Sequence, residues 1–326
     1  MKLVEIIIKP LSAFGTPLKG DTIFGHFFWQ LIYDPALVAG SLERLRDTYG
    51  HTPFVIFSSA FPRLKDGWLL PRPTLPLHYF KREKERDRFE ALKQRKEEKK
   101  KCWMLVKRPE IKLDEARFLN EEEAAKEAIS SWGLTVEETK KLIITQAQAH
   151  NTINRLTFTT GEGFAPYQLK NFWFLPGLRL SLFALYSEEV LSPKAIRTAF
   201  LRMGETGFGR DASSGLGRFT VEDIQELSQP APATTLYTLG PYVPQKGEYK
   251  RLWYKPFVRF GRHGSALVLT QRPFKNPVLM ADEGAVLKSS SPRGPYVGRA
   301  LSGLSKAEEM TIGQGFSIVF PLGGLA

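Results

Sequence analysis

Apolar and polar positions alternate along this chain in a regular succession of short strands and amphipathic helices. Residues 2–9 (KLVEIIIK) are β-branched and apolar apart from Glu5 and the flanking lysines, the pattern of a buried strand. A loop, SAFGTPLKG, follows. Asp21 or Thr22 is placed to cap a helix running to about Tyr33, with Ile23, Phe27, Phe28, Leu31 and Ile32 at helical spacing. Residues 54–61 (FVIFSSAF) and 67–71 (GWLLP) read as two strands about a turn at Lys65-Asp66-Gly67.

From Lys81 to Lys101 the pattern changes in kind. KREKERDRFEALKQRKEEKKK has eleven basic and six acidic residues, and its few apolar positions are Phe89, Ala91 and Leu92. A solvated helix or mobile insertion fits such a mixed-sign run. Helical sequence is predicted to continue over 114–148, where Thr135 and Glu138 have capping-box spacing. Strand character returns from about Asn151, through RLTFTT, NFWFLPG and LRLSLFALYS. Ser192-Pro193 opens a second helix to about Met203, proline being favoured at the first helical position. LGRFTVED then reads as a further strand.

Strand, helix, strand, strand, helix, strand is the split βαβ, ferredoxin-like order. The first domain is therefore expected over 1–228, with a charged helical insertion at about 80–148. SQPAPATT (228–235) reads as a linker, and 236–326 as a smaller α+β or β-rich domain with strands at TLYTLG, YKPFVRF, SALVLT and GFSIVFPL.

Charge narrows the partner. Forty-six Lys and Arg oppose 34 Asp and Glu, a net +12, which favours a polyanion, nucleic acid being the commonest. A single cysteine, Cys102, provides neither a disulfide framework nor a thiolate metal cage. No apolar run approaches the roughly 18 residues of a membrane span, and the N-terminal apolar run is too short for a signal peptide. A cytoplasmic location is expected, without membrane contact.

The chemistry concentrates in GETGFGRDASSGLGRF (204–219), with five glycines in sixteen residues. A phosphate-binding P-loop needs a lysine and runs from strand to helix, whereas this loop has no lysine and runs from helix to strand. A dinucleotide fingerprint needs a third glycine in register, and Gly207-Phe208-Gly209 is followed by Asp211-Ala212. What remains is a backbone in which Gly207, Gly209, Gly215 and Gly217 permit positive φ, beside Arg210, Ser213, Ser214 and Arg218. Exposed N–H groups with guanidinium are receivers for phosphate, although a packing turn has the same composition.

The five histidines show no paired metal spacing, and no Gly-x-Ser-x-Gly elbow occurs. No cofactor or metal is expected, and Glu121-Glu122-Glu123 reads as helix surface. His26 is either a satisfied structural residue or a general base for RNA cleavage.

HNTINRLTFTT (150–160), LPGLRLSLFAL (175–185) and LRMGETGFGRDASSGLGRF (201–219) together resemble the RAMP superfamily of CRISPR-associated proteins. More narrowly, they are similar to the fourth Csm subunit family of type III-A effector complexes. GDTIFGHF (20–27), LLPRP (69–73), YKPFVRFGRHG (254–264), ADEGAVLK (281–288) and GFSIVFPL (315–322) extend the likeness over most of the chain outside about 80–140. The resemblance implies two ferredoxin-like, RRM-related domains and a non-catalytic role. That role is to cap the 5′ repeat-derived tag of a guide RNA, and to bridge the large cyclase subunit to the first RAMP subunit of the backbone. Target RNA would be met only through the guide.

A single-stranded tag offers phosphates and splayed bases, suited to N–H groups, hydroxyls, arginines and aromatics. Beyond the loop, the candidate contacts are Lys19, Asn154, Arg155, Thr157, Arg72 and Arg262, while Asn154 and Arg155 also suit turn geometry. Two alternatives remain: a metal-independent repeat-processing ribonuclease using His26, or the equivalent subunit of another type III subtype.

Overall fold

A computed structural model describes residues 1–80, 88–135, 140–161 and 165–324. β1 (Lys2–Pro10), α1 (Gly20–Tyr33), α2 (Leu42–Thr48), β2 (Val55–Phe57), β3 (Phe61–Leu64) and β4 (Gly67–Pro71) come first. α3 (Arg88–Lys100), β5 (Trp103–Val106), β6 (Ile111–Lys112), β7 (Arg117–Leu119) and α4 (Glu121–Trp132) follow. Then come β8 (Ile143–His150), β9 (Tyr167–Phe174), β10 (Arg179–Tyr186), α5 (Pro193–Thr206) and β11 (Phe219–Leu227).

Eight of these strands form an antiparallel sheet in the order β11-β1-β10-β3-β4-β5-β7, with β2 also on β10. Each helix, α1 and α5, connects strands that have another strand between them, and the two helices pack together on one face. Phe27 meets Phe57 and Phe200 there, with ring centroids 4.9 and 6.1 Å apart. The remaining strands, β12 (Ala233–Thr238), β13 (Arg251–Trp253), β14 (Pro256–Arg259), β15 (Val278–Ala281), β16 (Val286–Arg293), β17 (Tyr296–Gly298) and β18 (Phe316–Gly323), make up the second half. Phe320 of β18 covers the other face of the first sheet, 5.3 Å from Phe183. Burial on both faces is why Leu3 to Ile8 are all inside, where a half-exposed strand would alternate.

Glu5 is the exception inside that run and is 1% exposed. Its carboxylate accepts from the Trp68 indole N–H at 2.7 Å and from Ser181, and pairs with Arg63 at 3.0 Å. A buried charge survives only with such partners.

Several elements differ from the sequence expectation. FVIFSSAF breaks at residues 58–60, where the Ser58 N–H bonds Phe183 O and the Ser59 N–H bonds Leu239 O, so the chain kinks toward the second half. The insertion is not wholly helical, because β5 and β7 extend the main sheet at its edge. The Thr135/Glu138 pair involves Glu138, which lies outside the described residues. Asn120 and Glu123 form a capping box at the start of α4.

The second half is β-rich. Among its described residues there is no α-helix, and the sheet order is β13-β16-β12-β18-β17 with β14–β15 as a separate hairpin. Of the two readings of 236–326, α+β ferredoxin-like or β-rich, the described residues match the β-rich one: β12, β14 and β18 fall in TLYTLG, YKPFVRF and GFSIVFPL, while SALVLT forms a 3-10 turn and not a strand. The second half has apolar clusters of its own, and it also joins the main core across 228–235. β12 begins at Ala233, and Tyr237, Leu239, Phe316 and Phe320 share one apolar cluster with Phe57 and Phe183.

Candidate nucleic-acid interface

The glycine loop leaves α5 and returns as β11, and its shape is fixed from three directions. Gly217 donates to Ala13 O at 2.7 Å, and Phe208 to Gly217 O at 2.9 Å. Arg210 N–H donates to Thr16 Oγ1 at 3.0 Å, and Gly209 N–H to His26 Nε2 at 3.2 Å. His26 also lies 4.5 Å from the Phe208 ring. Several of its positions require glycine, Gly209 and Gly217 among them. At Gly209 (φ +80°) a Cβ would stand 2.5 Å from Thr16 Cβ, and at Gly217 (φ +73°) 2.2 Å from Phe208 O.

Asp211 adopts φ +60° and opens a 3-10 turn over Ala212–Ser214. The N–H groups of Asp211, Ala212 and Ser213 have no partner among the described residues. Ser213 and Ser214 are exposed beside them, and the Arg218 guanidinium makes no ion pair with a described residue. The loop thus presents a short row of donors, two hydroxyls and a cation, the groups that hold a phosphate.

Arg210 is engaged differently. Its guanidinium bonds Asp211 at 3.0 Å, Lys170 O at 2.9 Å and Asn171 Oδ1 at 2.7 Å, tying the loop to β9. β8 and β9 form a separate two-stranded hairpin, held further by Phe14, which packs edge-on to Phe174 at 5.4 Å. Its far end carries the NTINRLT stretch. Asn154 Oδ1 accepts from Leu156 N–H at 2.9 Å, and Thr157 bonds Thr159 at 2.9 Å, so both serve the turn. Arg155 is exposed, as are Leu156 and Phe158, at 93% and 83%. The stem contact at Lys170 and Asn171 lies about 10–13 Å along the strand from its Tyr167 end, at ~3.3 Å per residue.

The remaining candidates lie elsewhere. Lys19, at the start of α1, bonds Asp282 and Glu283, the latter at 2.7 and 2.8 Å, and lies 4.8 Å from the Phe257 ring centre. Burial pushes the Glu283 carboxyl up to about 7, against the pull of Lys19. Arg72 stacks on Phe80 at 3.9 Å and bonds the Glu98 and Lys101 carbonyls, tying the end of α3 to the end of β4. Both cations are thus occupied within the fold. Arg262 is exposed in the second half, 5.7 Å from the Phe274 ring. The structure gathers the glycine loop with the hairpin stem, and leaves Lys19, Arg72 and Arg262 apart from it.

Sequence reasoning missed Thr16, Phe14 and Asn171, whose roles arise only from contacts with residues far along the chain. It weighed His26 as a base. Burial lowers its pKa to about 4, and its Nε2 is an acceptor for the loop. The acidic run at 121–123 is built into α4: Glu121 accepts from the Trp103 indole and the Leu142 N–H, and Glu122 pairs with Lys126. Among the described residues, no group of three or more His, Cys, Asp or Glu side chains is placed to hold a metal ion. Nor is any helix long and apolar enough to cross a membrane.

No family model and no curated protein matches the sequence. Solved structures do match. A chain of the Csm3–Csm4 subcomplex of the type III-A CRISPR–Cas interference complex superposes with a TM-score of 0.58 at 15% identity, over 98% of this chain and 99% of that one. A chain of a Csm1–Csm4 cassette bound to pppApA gives 0.54 at 18% identity, over 100% and 98%. Another, from the cassette bound to cA4, gives 0.54 at 16%, over 99% and 98%. Csm4 is the member these assemblies share. This chain shares the fold of these chains over nearly its whole length.

Proposed function

We propose that this chain is a non-catalytic, RNA-binding subunit of a type III-A CRISPR effector complex. In this reading it caps the 5′ repeat-derived tag of the guide RNA and joins the large subunit to the backbone. The observation that carries it is the end-to-end likeness to chains from both Csm3–Csm4 and Csm1–Csm4 assemblies, which suits a subunit with a partner on each side. The first half is read as ferredoxin-like from its strand order, with the β-rich half closing its open sheet face.

The loop supplies the RNA chemistry. The N–H groups of residues 211–213, the Ser213 and Ser214 hydroxyls and Arg218 would receive backbone phosphates, with Arg155 reaching the strand from the hairpin end. Lys19 and Arg72 are assigned to holding the fold, their charges being engaged internally. His26 supports the non-catalytic reading: a group titrating near 4 is a weak base at neutral pH, and its lone pair is engaged by Gly209.

The experiment is to co-express the chain with its large and backbone subunits, purify without nuclease, and sequence the bound RNA. Small RNAs with a common 5′ tag and variable remainder are expected. RNA of random sequence would refute tag capping. In the same complex, Arg155→Ala and Arg218→Ala should each weaken RNA retention, and each should lower the log–log salt slope by about 0.7 for every phosphate left without its cation. Unchanged retention and slope would remove them from the interface. Repeat RNA cleaved in EDTA by the wild type and left intact by His26→Ala would replace this reading with the nuclease one.

A further inference from the structure

Residues 254–281 contain five Lys or Arg and no Asp or Glu. The same segment exposes large apolar side chains. On the outer face of the β14–β15 hairpin, Val258 pairs with Leu279, 45% and 61% exposed, while Phe257 and Met280 turn inward. The loops continue that outer face with Phe260 at 76% and Phe274 at 67%, and Arg262 lies against Phe274. Arg272 is exposed two residues before Phe274 and makes no ion pair with a described residue.

This surface is connected to the glycine loop through α1. Arg259 grips Asp21 by two bonds of 2.5 and 2.8 Å, and Gly264 lies against the Trp29 indole, where a Cβ would be 3.1 Å from Nε1. Asp21, Gly25 and Trp29 follow one another at four-residue intervals, so they form a single stripe on the helix. The second half covers the stripe at both ends and leaves a notch between. At Gly25 a Cβ would meet nothing within 4 Å. Glycine inside a helix costs about 1 kcal/mol relative to alanine, and packing gives no reason for it here. His26, next along the helix, is the residue that holds Gly209.

We propose that single-stranded RNA continues from the glycine loop across α1 at Gly25 and stacks its bases on Phe260 and Phe274, with Arg262 and Arg272 on its phosphates. The proposal rests on the RNA-binding reading above and adds a second contact region to it. Exposed aromatic faces interleaved with unopposed arginines suit an unpaired strand, since every base has a face to stack and every linkage a charge. The exposed Arg262 and Arg272, with no ion pair to a described residue, favour a polyanion over a protein of mixed charge. Gly25 would let the strand approach the helix closely.

The test is fluorescence anisotropy with fluorescein-labelled single-stranded oligoadenylate and oligouridylate on the full-length chain. Phe260→Ala with Phe274→Ala should weaken binding by about 5- to 150-fold for each base that no longer stacks, similarly for both sequences. Phe260→Trp with Phe274→Trp should restore it. Gly25→Gln should raise thermal stability yet weaken RNA binding. If the alanine pair binds as wild type while Arg218→Ala is weakened, the platform is wrong and the RNA-binding reading stands. If no variant including Arg218→Ala changes binding, the reading beneath it fails as well. Loss of a co-purifying subunit from the alanine pair, with RNA affinity intact, would reassign the surface to protein contact and overturn the proposal.

Discussion

Replacing Gly209 with alanine tests whether the loop's shape is held by its contact with the β1–α1 connection. The new Cβ would stand 2.5 Å from Thr16 Cβ and 2.6 Å from Thr16 Oγ1, at a residue with φ +80°. The left-handed conformation alone costs about 1–2 kcal/mol for a residue with a Cβ. Ordinary carbon contacts are ~3.5–4.0 Å, so the segments must separate by about 1 Å. That movement strains the Gly209–His26 and Arg210–Thr16 hydrogen bonds, each contributing about 0.5–1.5 kcal/mol. The sum is a loss of roughly 2–5 kcal/mol, a large share of an ordinary fold's stability.

Thr16→Gly removes the obstructing side chain and with it the acceptor for Arg210, costing about 1–2.5 kcal/mol by itself. In the double variant the clash is gone and only strain and one missing bond remain. The two changes should therefore be less than additive, with a coupling of about 1–3 kcal/mol. Urea unfolding of the four proteins measures this directly. Additivity within about 0.5 kcal/mol would refute the argument, because it would mean that Gly209 and Thr16 do not compete for the same space.

Two further outcomes follow from buried charges. His26 titrates near 4 in the fold against 6.5 when unfolded, so its contribution is complete above about pH 6.5 and is lost as the pH falls toward 4. The fall in stability between those values should be shallower in His26→Gln than in the wild type; equal profiles would show that His26 is not held neutral. Lys19→Met leaves Asp282 and Glu283 without their cation and should cost about 3–5 kcal/mol by calorimetry, while the salt slope of RNA binding stays unchanged. A slope reduced by about 0.7 would return Lys19 to the RNA.

Local chemistry was sufficient for the strongly patterned elements. β1, α1, β4, β10, α5 and β11 fall close to where apolar spacing and the Ser192-Pro193 start put them. The glycine loop was legible as a candidate because excluding two cofactor motifs needed only residue order. β8 gave no signal, since both faces of QAQAH are exposed and no apolar side alternates with a polar one. β5 and β7 were hidden by their shortness beside a charged run, and became strands only because β4 offered an open edge.

The chain alone therefore determined its charge, the start of α5 and the presence of a glycine-rich, donor-rich turn, all properties of neighbouring residues. Which cations remain available was decided by tertiary structure. Lys19, Arg72 and Arg210 look alike in sequence to Arg155 and Arg218, yet carboxylates, ring faces and carbonyls from distant segments occupy the first three. A charge is free or spent according to what long-range folding places within a few ångströms of it, because Coulomb attraction and desolvation both depend on those distances.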